Sequence, residues 1–530
     1  SKLAKPPSIC KIVGKTILDG LGLPTLQVEI SCTIQNFPKY ICSVVIPAHF
    51  EVPENALPEV VDAEEAKRQL AVTTAVQWVN ESMTEQLWGL IPFNQAEVDS
   101  RLRIFFENKV QEDKERRELE RSPEEPVLVP SPLMPQPPPP PAPKKKGQKQ
   151  GRRDTLVEKP VLPAEPPEPI LHGSMAIGAV SLAVIKASAH LTSTPLYMSI
   201  TSLKHGQVSE GCIPSLAAWS LEGGGSTLAL RVCVSCLKSG IELLLEIQKQ
   251  INRMMEMLPT PKPETKKGHD QPITGKMSHL GCLNTNYDTI EQPLLLIQGV
   301  CSSLGLELGT NLHLAINCAA HELMDYSKGK YEVMVGAHKN MAEMMELYVD
   351  LINKYPFIIA LIDPFRKEDS EQWDSIYTAL ASRCYIIAGA ASRSISKVLE
   401  HRNTSTPKSH GLIISHTNQT TMSDLVEISH LLDSQKQLAI FGSTEAESSD
   451  DSLVDLAVGL GARFIKLGGL SRGERVTKYN RLLTIEEELI QSGTWGFSEE
   501  HNFSSFQEDS TAMMAEETLG PLESIFPTEV

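Results

Sequence analysis

Several things this 530-residue sequence lacks narrow its function before any motif is read. It has no apolar run long enough for a membrane. The longest, residues 176–187, falls well short of the ~20 residues a spanning helix needs. It has no basic excess either. A formal net charge of −17 repels phosphate backbones and anionic lipid, which excludes nucleic acid and membrane surfaces as main partners. Nor is there a cysteine framework. The ten cysteines are scattered without recurrent spacing, which reads as reduced thiols in a cytoplasmic setting. Cys233 and Cys236 form a lone C-x-x-C with no second Cys or His pair at finger spacing. They read as two small residues one helical turn apart. No secretory signal opens the sequence.

What is present is organised around residues 459–493. Residues 462–465 are an apolar run ending in Lys466, and Gly468 and Gly469 break it, so a buried strand followed by a loop is expected. Ser471 and Glu474 have capping-box spacing. Val476, Tyr479 and Leu483 then recur at helical spacing, with Gly493 as the stop. Lys466 therefore stands at the carboxyl end of a strand, the end that carries the site in a β/α barrel.

Upstream, residues 11–50 read as strands with a turn around 36–38. Alternation over residues 26–30 suits a half-buried antiparallel strand. Helical patterns follow over residues 62–83 and 97–121. Strands are expected at 312–317, 357–362, 384–389, 412–415, 438–442 and 462–466, separated by helical patterns such as 341–354, whose methionines read as core filler. Strand–helix alternation over about 300 residues is the signature of a β/α barrel. Residues 116–171 depart from globular composition, with an unbroken proline run at 137–141 and a basic run at 144–153. Such a segment cannot bury enough apolar surface to offset its ordering entropy and reads as a disordered insert. It is either a solvated linker or a docking segment for a polyproline-binding or acidic partner. A second Pro-, Lys- and Thr-rich loop covers 259–276, and the acidic tail from 497 to 530 is expected to be mostly mobile.

The stretch FIKLGGLSRGERVTKYNRLLTIEEEL resembles the C-terminal block of enolases, roughly IKTGAPxRSERxAKYNxLLRIEEEL. Lys466, Gly468, Arg472, Glu474, Arg475, Lys478, Tyr479, Asn480 and the IEEEL run match. GSMAIGAVSLAVIKASA at 173–189 is similar to the family's GANAILGVSLAVCKAGA helix, and DGLGLPT to its DSRGNPT turn. The resemblance spans about residues 11–100 and 171–495. It implies an α/β fold: an enolase-like β/α (TIM-type) barrel preceded by an α+β N-terminal domain. On that reading, 1–115 and 172–194 form the N-terminal domain, interrupted by the insert, and 195–496 form the barrel.

The resemblance also implies a reaction, the dehydration of 2-phosphoglycerate, with a lysine base and two Mg²⁺ held by carboxylates. Those positions are mostly substituted. The family's three metal acids fall on Asn317, Ile362 and Gly389, and only the neighbouring Asp363 is acidic. The base lysine falls on Ser415, and the family's His-Arg pair on Ser443 and Thr444. Less secure alignments put two further family acids on Ala218 and Leu283, with Glu222 as a nearby alternative. The closing loop is replaced by residues 47–52. Lys466 matches the residue that holds substrate carboxylate, and Arg472 and His205 are further candidates for substrate binding. Glycine and isoleucine offer no side-chain oxygen and asparagine only a neutral one, so tight Mg²⁺ binding is not expected. Ser415 lacks the basicity of a lysine unless a partner activates it.

Three functions are open on this reading: a non-catalytic structural or interaction protein, a weakly active or partner-completed phosphopyruvate hydratase, or a sensor of a phosphorylated metabolite. The family dimerises, which implies homo- or hetero-oligomers with enolase-like subunits. The proline-rich insert and altered motifs are most similar to a divergent sperm-type branch, which implies a place in the sperm flagellum.

Overall fold

The structure, a computed structural model, describes residues 4–48, 52, 56–121, 160–206, 215–223, 226–232, 237–257, 275–277, 281–285, 287, 289–310, 312–334, 336–404, 407–444 and 446–494. The N-terminal part opens with an antiparallel meander of β1 (Ser8–Leu18), β2 (Pro24–Ile34) and β3 (Phe37–Ile46). In β2, Leu26, Val28, Ile30 and Cys32 are buried and the residues between them half-buried, the alternation expected of a one-sided sheet. Gln35 and Asn36 both adopt positive φ. That makes the β2–β3 connection a two-residue turn matched to strand twist, ending just before Pro38 rather than including it.

Helices α1 (Pro58–Gln77), α2 (Gln95–Glu120) and α3 (Met175–Leu191) cover the meander. The longest apolar run lies in α3, which is buried along nearly its whole length against β2, β3 and α2. No single described helix is long and apolar enough to cross a membrane. α2 continues to Glu120, past the expected start of the insert, because Arg116 and Arg117 make helical pairs with Glu120 and Asp113. Residues 160–171 also depart from the expectation: they are docked on the barrel. The proline and basic runs of the insert lie outside the described residues. So do Cys233 and Cys236, most of the 259–276 loop, and the tail.

Eight strands close a barrel: β4 (Ser215–Gly223), β5 (Ser226–Val232), β6 (Leu312–Asn317), β7 (Ile358–Ile362), β8 (Tyr385–Ala388), β9 (Gly411–Ile414), β10 (Leu438–Gly442) and β11 (Phe464–Lys466). Closure comes from β11 pairing in parallel with β4, Lys466 opposite Ala217. All neighbours are parallel except that β5 runs antiparallel to both β4 and β6. The six later strands stand where the sequence puts them, within a residue or two at their ends. The first two were not read, although Gly223–Gly225 followed by Ser226 carries a hairpin signal.

The strands face two ways. Ile316, Leu361, Ile386, Ile414, Phe441 and Ile465 point outward into the main core. Ile362, Tyr385, Ile387, Ile440 and Phe464 form a separate cluster that fills the lumen. Each such side chain contributes roughly 1.5–3 kcal/mol by leaving water. Around the barrel, α4 (Leu196–His205), α5 (Met341–Lys354) and α6 (Met422–Ser434) precede the last helix, α7 (Gly473–Gln491). In α5, Met344 is fully buried and Met341 and Met345 pack against the core, so the methionines are core filler as read.

The expected capping box of α7 does not form. Its N-cap is Arg472, with no side-chain cap. Ser471 Oγ instead accepts from Gln248, and the Glu474 carboxylate accepts from Arg472 Nε. The turn at residues 19–23 presses on Glu474 so closely that a Cβ at Gly20 would collide with its carboxylate. Tertiary contact thus takes the acid from the helix end. Gly493, at positive φ, ends the helix as expected.

Candidate functional site at the carboxyl ends of the barrel strands

Strand alternation decides which residues reach the mouth of the barrel. Phe464, Ile440, Ile413 and Ile387 face the lumen, so Lys466, Gly442, Ser415 and Gly389, two residues on, face its upper end. Asn317 lies in register with Ile362, and Ile362 with Ile387; Gly442 lies in register with Lys466. The structure therefore brings Asn317, Ile362, Gly389, Ser415 and Lys466 to one rim, although they span 150 residues of sequence. Ala218 lies in β4, one residue past the register partner of Lys466. Glu222 lies five residues past that partner, in the extension of β4 that pairs with Thr227 and Asn284.

Asp363 stands at the rim but turns away. It adopts positive φ and is buried, and its carboxylate accepts from the backbone N–H of Gly389 and Ala390 at 2.8 Å and of Ala391 at 3.1 Å. Its lone pairs hold the loop after β8. Gly389 is packed against it: a Cβ there would sit 2.9 Å from Asp363 Oδ2 and 3.1 Å from Ile413 Cδ1.

The loop after β10 is held from behind. Arg475 Nη1 donates to Ser443 Oγ and Nη2 to the Thr444 carbonyl, both at 2.6 Å. Glu447 accepts from Thr444 N at 3.0 Å and lies 3.3 Å from Lys478 Nζ, which also donates to the Ser448 carbonyl. Arg475, Lys478 and Glu447 are buried, and burial lowers the pKa of the Arg475 guanidinium. A cleft of about 30 Å³ between this loop, the end of β3 and Ser415 has room for one or two waters. Beside it His416 is buried, its Nε2 3.0 Å from the Thr420 carbonyl. Burial holds its pKa down at about 4, so it is a neutral packing group. Alternation gives the lumen position to Ser415 and turns His416 toward α3, where a Cβ on Gly178 would meet its ring.

Lys466 is half-buried, and none of the ion pairs formed among the described residues involves it. Arg472 is committed elsewhere. Its guanidinium bonds Glu474 and the carbonyl of Gly20, tying the N-terminal turn to the barrel. His205 is not at the rim at all. Its neighbour Lys204 donates to the Leu460 carbonyl at 2.9 Å, and Thr201 to that of Gly459, both just before β11. His205 thus sits at the amino end of the barrel, with its ring 6.4 Å from that of His430. Helix α4 packs on residues 452–459, and this contact carries His205 away from the candidate site.

Residues 254–502 match the family model described as Enolase, C-terminal TIM barrel domain. Over 554 aligned residues the chain is 74% identical to Enolase 4 of Mus musculus, covering 100% of this chain and 89% of that relative. It is 67% identical over 554 residues to Enolase 4 of Homo sapiens, covering 100% and 88%. It is 37% identical over 522 residues to Enolase 4 of Danio rerio, covering 96% and 88%.

The chain belongs to the enolase family.

Membership raises the question whether this rim fits the family's Mg²⁺. Mg²⁺ demands near-octahedral oxygen and is usually anchored through one or two carboxylates. The described rim offers the neutral amide of Asn317, the hydroxyl of Ser415, and no side-chain oxygen from Ile362 or Gly389. Asp363 is spent on three backbone amides. Among the described residues no three His, Cys, Asp or Glu side chains gather as a metal site. The described residues of the rim do not fit the ion, and no step is derived through it.

Proposed function

We propose that this enolase-family chain is a non-catalytic structural or interaction protein. One observation carries the reading: a family barrel whose rim presents Asn317, Ile362, Gly389 and Ser415, with Asp363 turned into the adjoining loop. Abstraction of a weakly acidic proton needs a base and cations to hold the developing charge, and groups that act as a unit are not repaired one at a time. Ser415 accepts no proton at neutral pH without an activating group, and His416 beside it is turned away toward α3. In this proposal the barrel serves as a rigid body that presents surfaces to enolase-like subunits, as a homo- or hetero-oligomer. The insert serves as the docking segment, and the sperm flagellum is the setting.

The test is Mg²⁺-dependent dehydration of 2-phosphoglycerate by the full chain, with Lys466→Ala as control. The expected result is no turnover above background from a folded protein. Turnover abolished by Lys466→Ala would overturn the proposal in favour of a compensated, weakly active hydratase.

A second reading, a metabolite sensor, is favoured by one feature: Lys466 at the rim without a carboxylate partner among the described residues. An unpaired ammonium among neutral side chains attracts a carboxylate or phosphate. Titration of the full chain with 2-phosphoglycerate tests it, and absence of binding at millimolar ligand rules it out.

A further inference from the structure

Residues 160–171, the return from the insert, form an extended strap across the rim rather than a free linker. Val161 packs on Gly329, in the loop that follows β6. The Leu162 carbonyl accepts from Arg366 Nη1 at 2.8 Å, and Glu165 N donates to Glu368 at 2.9 Å, both in the loop that follows β7. Glu165 pairs with Lys367 at 3.2 Å. Glu168 pairs with Lys397 at 3.4 Å and accepts from Ser394, beyond β8. One short segment thus touches the connections after three successive barrel strands, all at the carboxyl end.

Its central contact is not superficial. Arg366 is buried and forks onto Asp369, with Nε and Nη2 each 2.9 Å from a carboxylate oxygen. Tyr331 donates to the same carboxylate at 2.6 Å. The one guanidinium nitrogen left, Nη1, is divided between Tyr326 and the strap carbonyl. Arg366 lies three residues after Asp363, which holds Gly389, Ala390 and Ala391. The chain of contacts is therefore continuous: strap, Arg366, loop 363–369, Asp363, loop 389–391. It ends at two of the substituted rim positions, Ile362 and Gly389.

We propose that residues 160–171 are a latch that ties the insert to the mouth of the barrel. While the strap is docked, loops 363–369 and 389–391 are held as seen. When the strap is pulled away, the Arg366 anchor is lost and both loops loosen. Whatever engages the insert then acts on the rim through the strap, whether or not the rim turns anything over. Exposed ion pairs are individually weak, so the strap is released by reversing several contacts together. A sequence of contacts alone does not establish coupling; a change at one end read at the other does.

The experiment is hydrogen exchange by mass spectrometry on the full chain. The variant Val161→Asp, Glu165→Lys, Glu168→Lys turns the apolar anchor and both ion pairs repulsive. Peptides covering 386–394 are expected to exchange roughly tenfold faster, while peptides of α3 are unchanged. Adding Lys367→Glu and Lys397→Glu to Glu165→Lys and Glu168→Lys, with Val161 kept, restores opposite charge and is expected to restore protection. Fast exchange confined to 160–171, with 386–394 unchanged, would overturn the proposal. Loss at 386–394 that the charge swap fails to restore would also overturn it. Neither readout depends on catalysis, so the outcome is separable from that of the dehydration assay.

Discussion

Arg475 on the C-terminal helix α7 donates to Ser443, just past the end of β10, at 2.6 Å, so the loop that follows this strand is fixed from outside the barrel. The same guanidinium holds the Thr444 carbonyl, in a buried setting shared with Glu447 and Lys478. Arg475 thus fastens two small hydroxyl residues, Ser443 and Thr444, the positions that the resemblance aligns with the family's His-Arg pair.

Arg475→Ala removes both hydrogen bonds and leaves Glu447 with Lys478 as its only described cationic partner. Breaking a buried ionic group one-sidedly costs about 3–5 kcal/mol. The expected result is a loss of that size in guanidinium unfolding, with Arg475→Lys recovering only part of it, because an ammonium does not span Ser443 and Thr444 together.

Gly389→Ala places a methyl 2.9 Å from Asp363 Oδ2 and 3.1 Å from Ile413 Cδ1. Relief requires the Asp363 carboxylate to leave its three amides or Ile413 to change rotamer, at about 1–3 kcal/mol. Thermal unfolding measures the loss. The same crowding predicts that Gly389→Asp, combined with Asn317→Asp and Ile362→Glu, does not recreate tight Mg²⁺ binding in calorimetry, because Asp363 occupies the space.

Asp99 links the two halves of the molecule. Its carboxylate accepts from Gln95 and Ser181 on the N-terminal side, and from Ser423 N at 2.9 Å and Ser423 Oγ at 2.6 Å at the start of α6. Asp99→Ala leaves several buried donors without an acceptor, at about 1–3 kcal/mol for each one unpaired. Limited proteolysis is expected to cut between the domain halves sooner, and Asp99→Asn to fall between wild type and alanine.

Acid weakens this fold through two histidines. His410 and His416 are both held down to about 4 from 6.5, chiefly by burial. Below 6.5 the unfolded chain takes up protons that the folded chain refuses, so stability is full above 6.5 and is lost as pH falls toward 4. Asp99, raised by burial, works in the opposite sense just above its usual 3.8. Melting temperature is expected to fall steadily from pH 7 to pH 4.5, and His416→Gln to flatten that slope. A slope unchanged in His416→Gln would show that His416 is not buried neutral.

Much of this was legible in the sequence because it is local. Period-two alternation gave β2, and the apolar runs ending at residues 317, 362, 389, 415, 442 and 466 gave six of the eight barrel strands. The same positions identified Asn317, Ile362, Gly389, Ser415 and Lys466 as the rim, since a strand's carboxyl end is a property of chain order. The antiparallel β5 was missed: its direction depends on what it pairs with, and its residues are the same read either way.

What tertiary structure alone decided is where the polar groups went. Ser471 and Glu474 have the spacing of a cap, but the turn at Gly20 and the guanidinium of Arg472 took the carboxylate. Arg472, a motif match, and His205, in a loop that departs from the family pattern, are both sequence candidates for substrate binding, yet one clamps the N-terminal turn and the other stands at the far end of the barrel. Asp363 read as an acid available to a metal or a turn, and the fold gave it the amides of a neighbouring strand's loop. Apolar periodicity is set by each element's own geometry and survives in the sequence. The partner of a charged side chain is set by which distant backbone arrives beside it, and only the folded chain determines that.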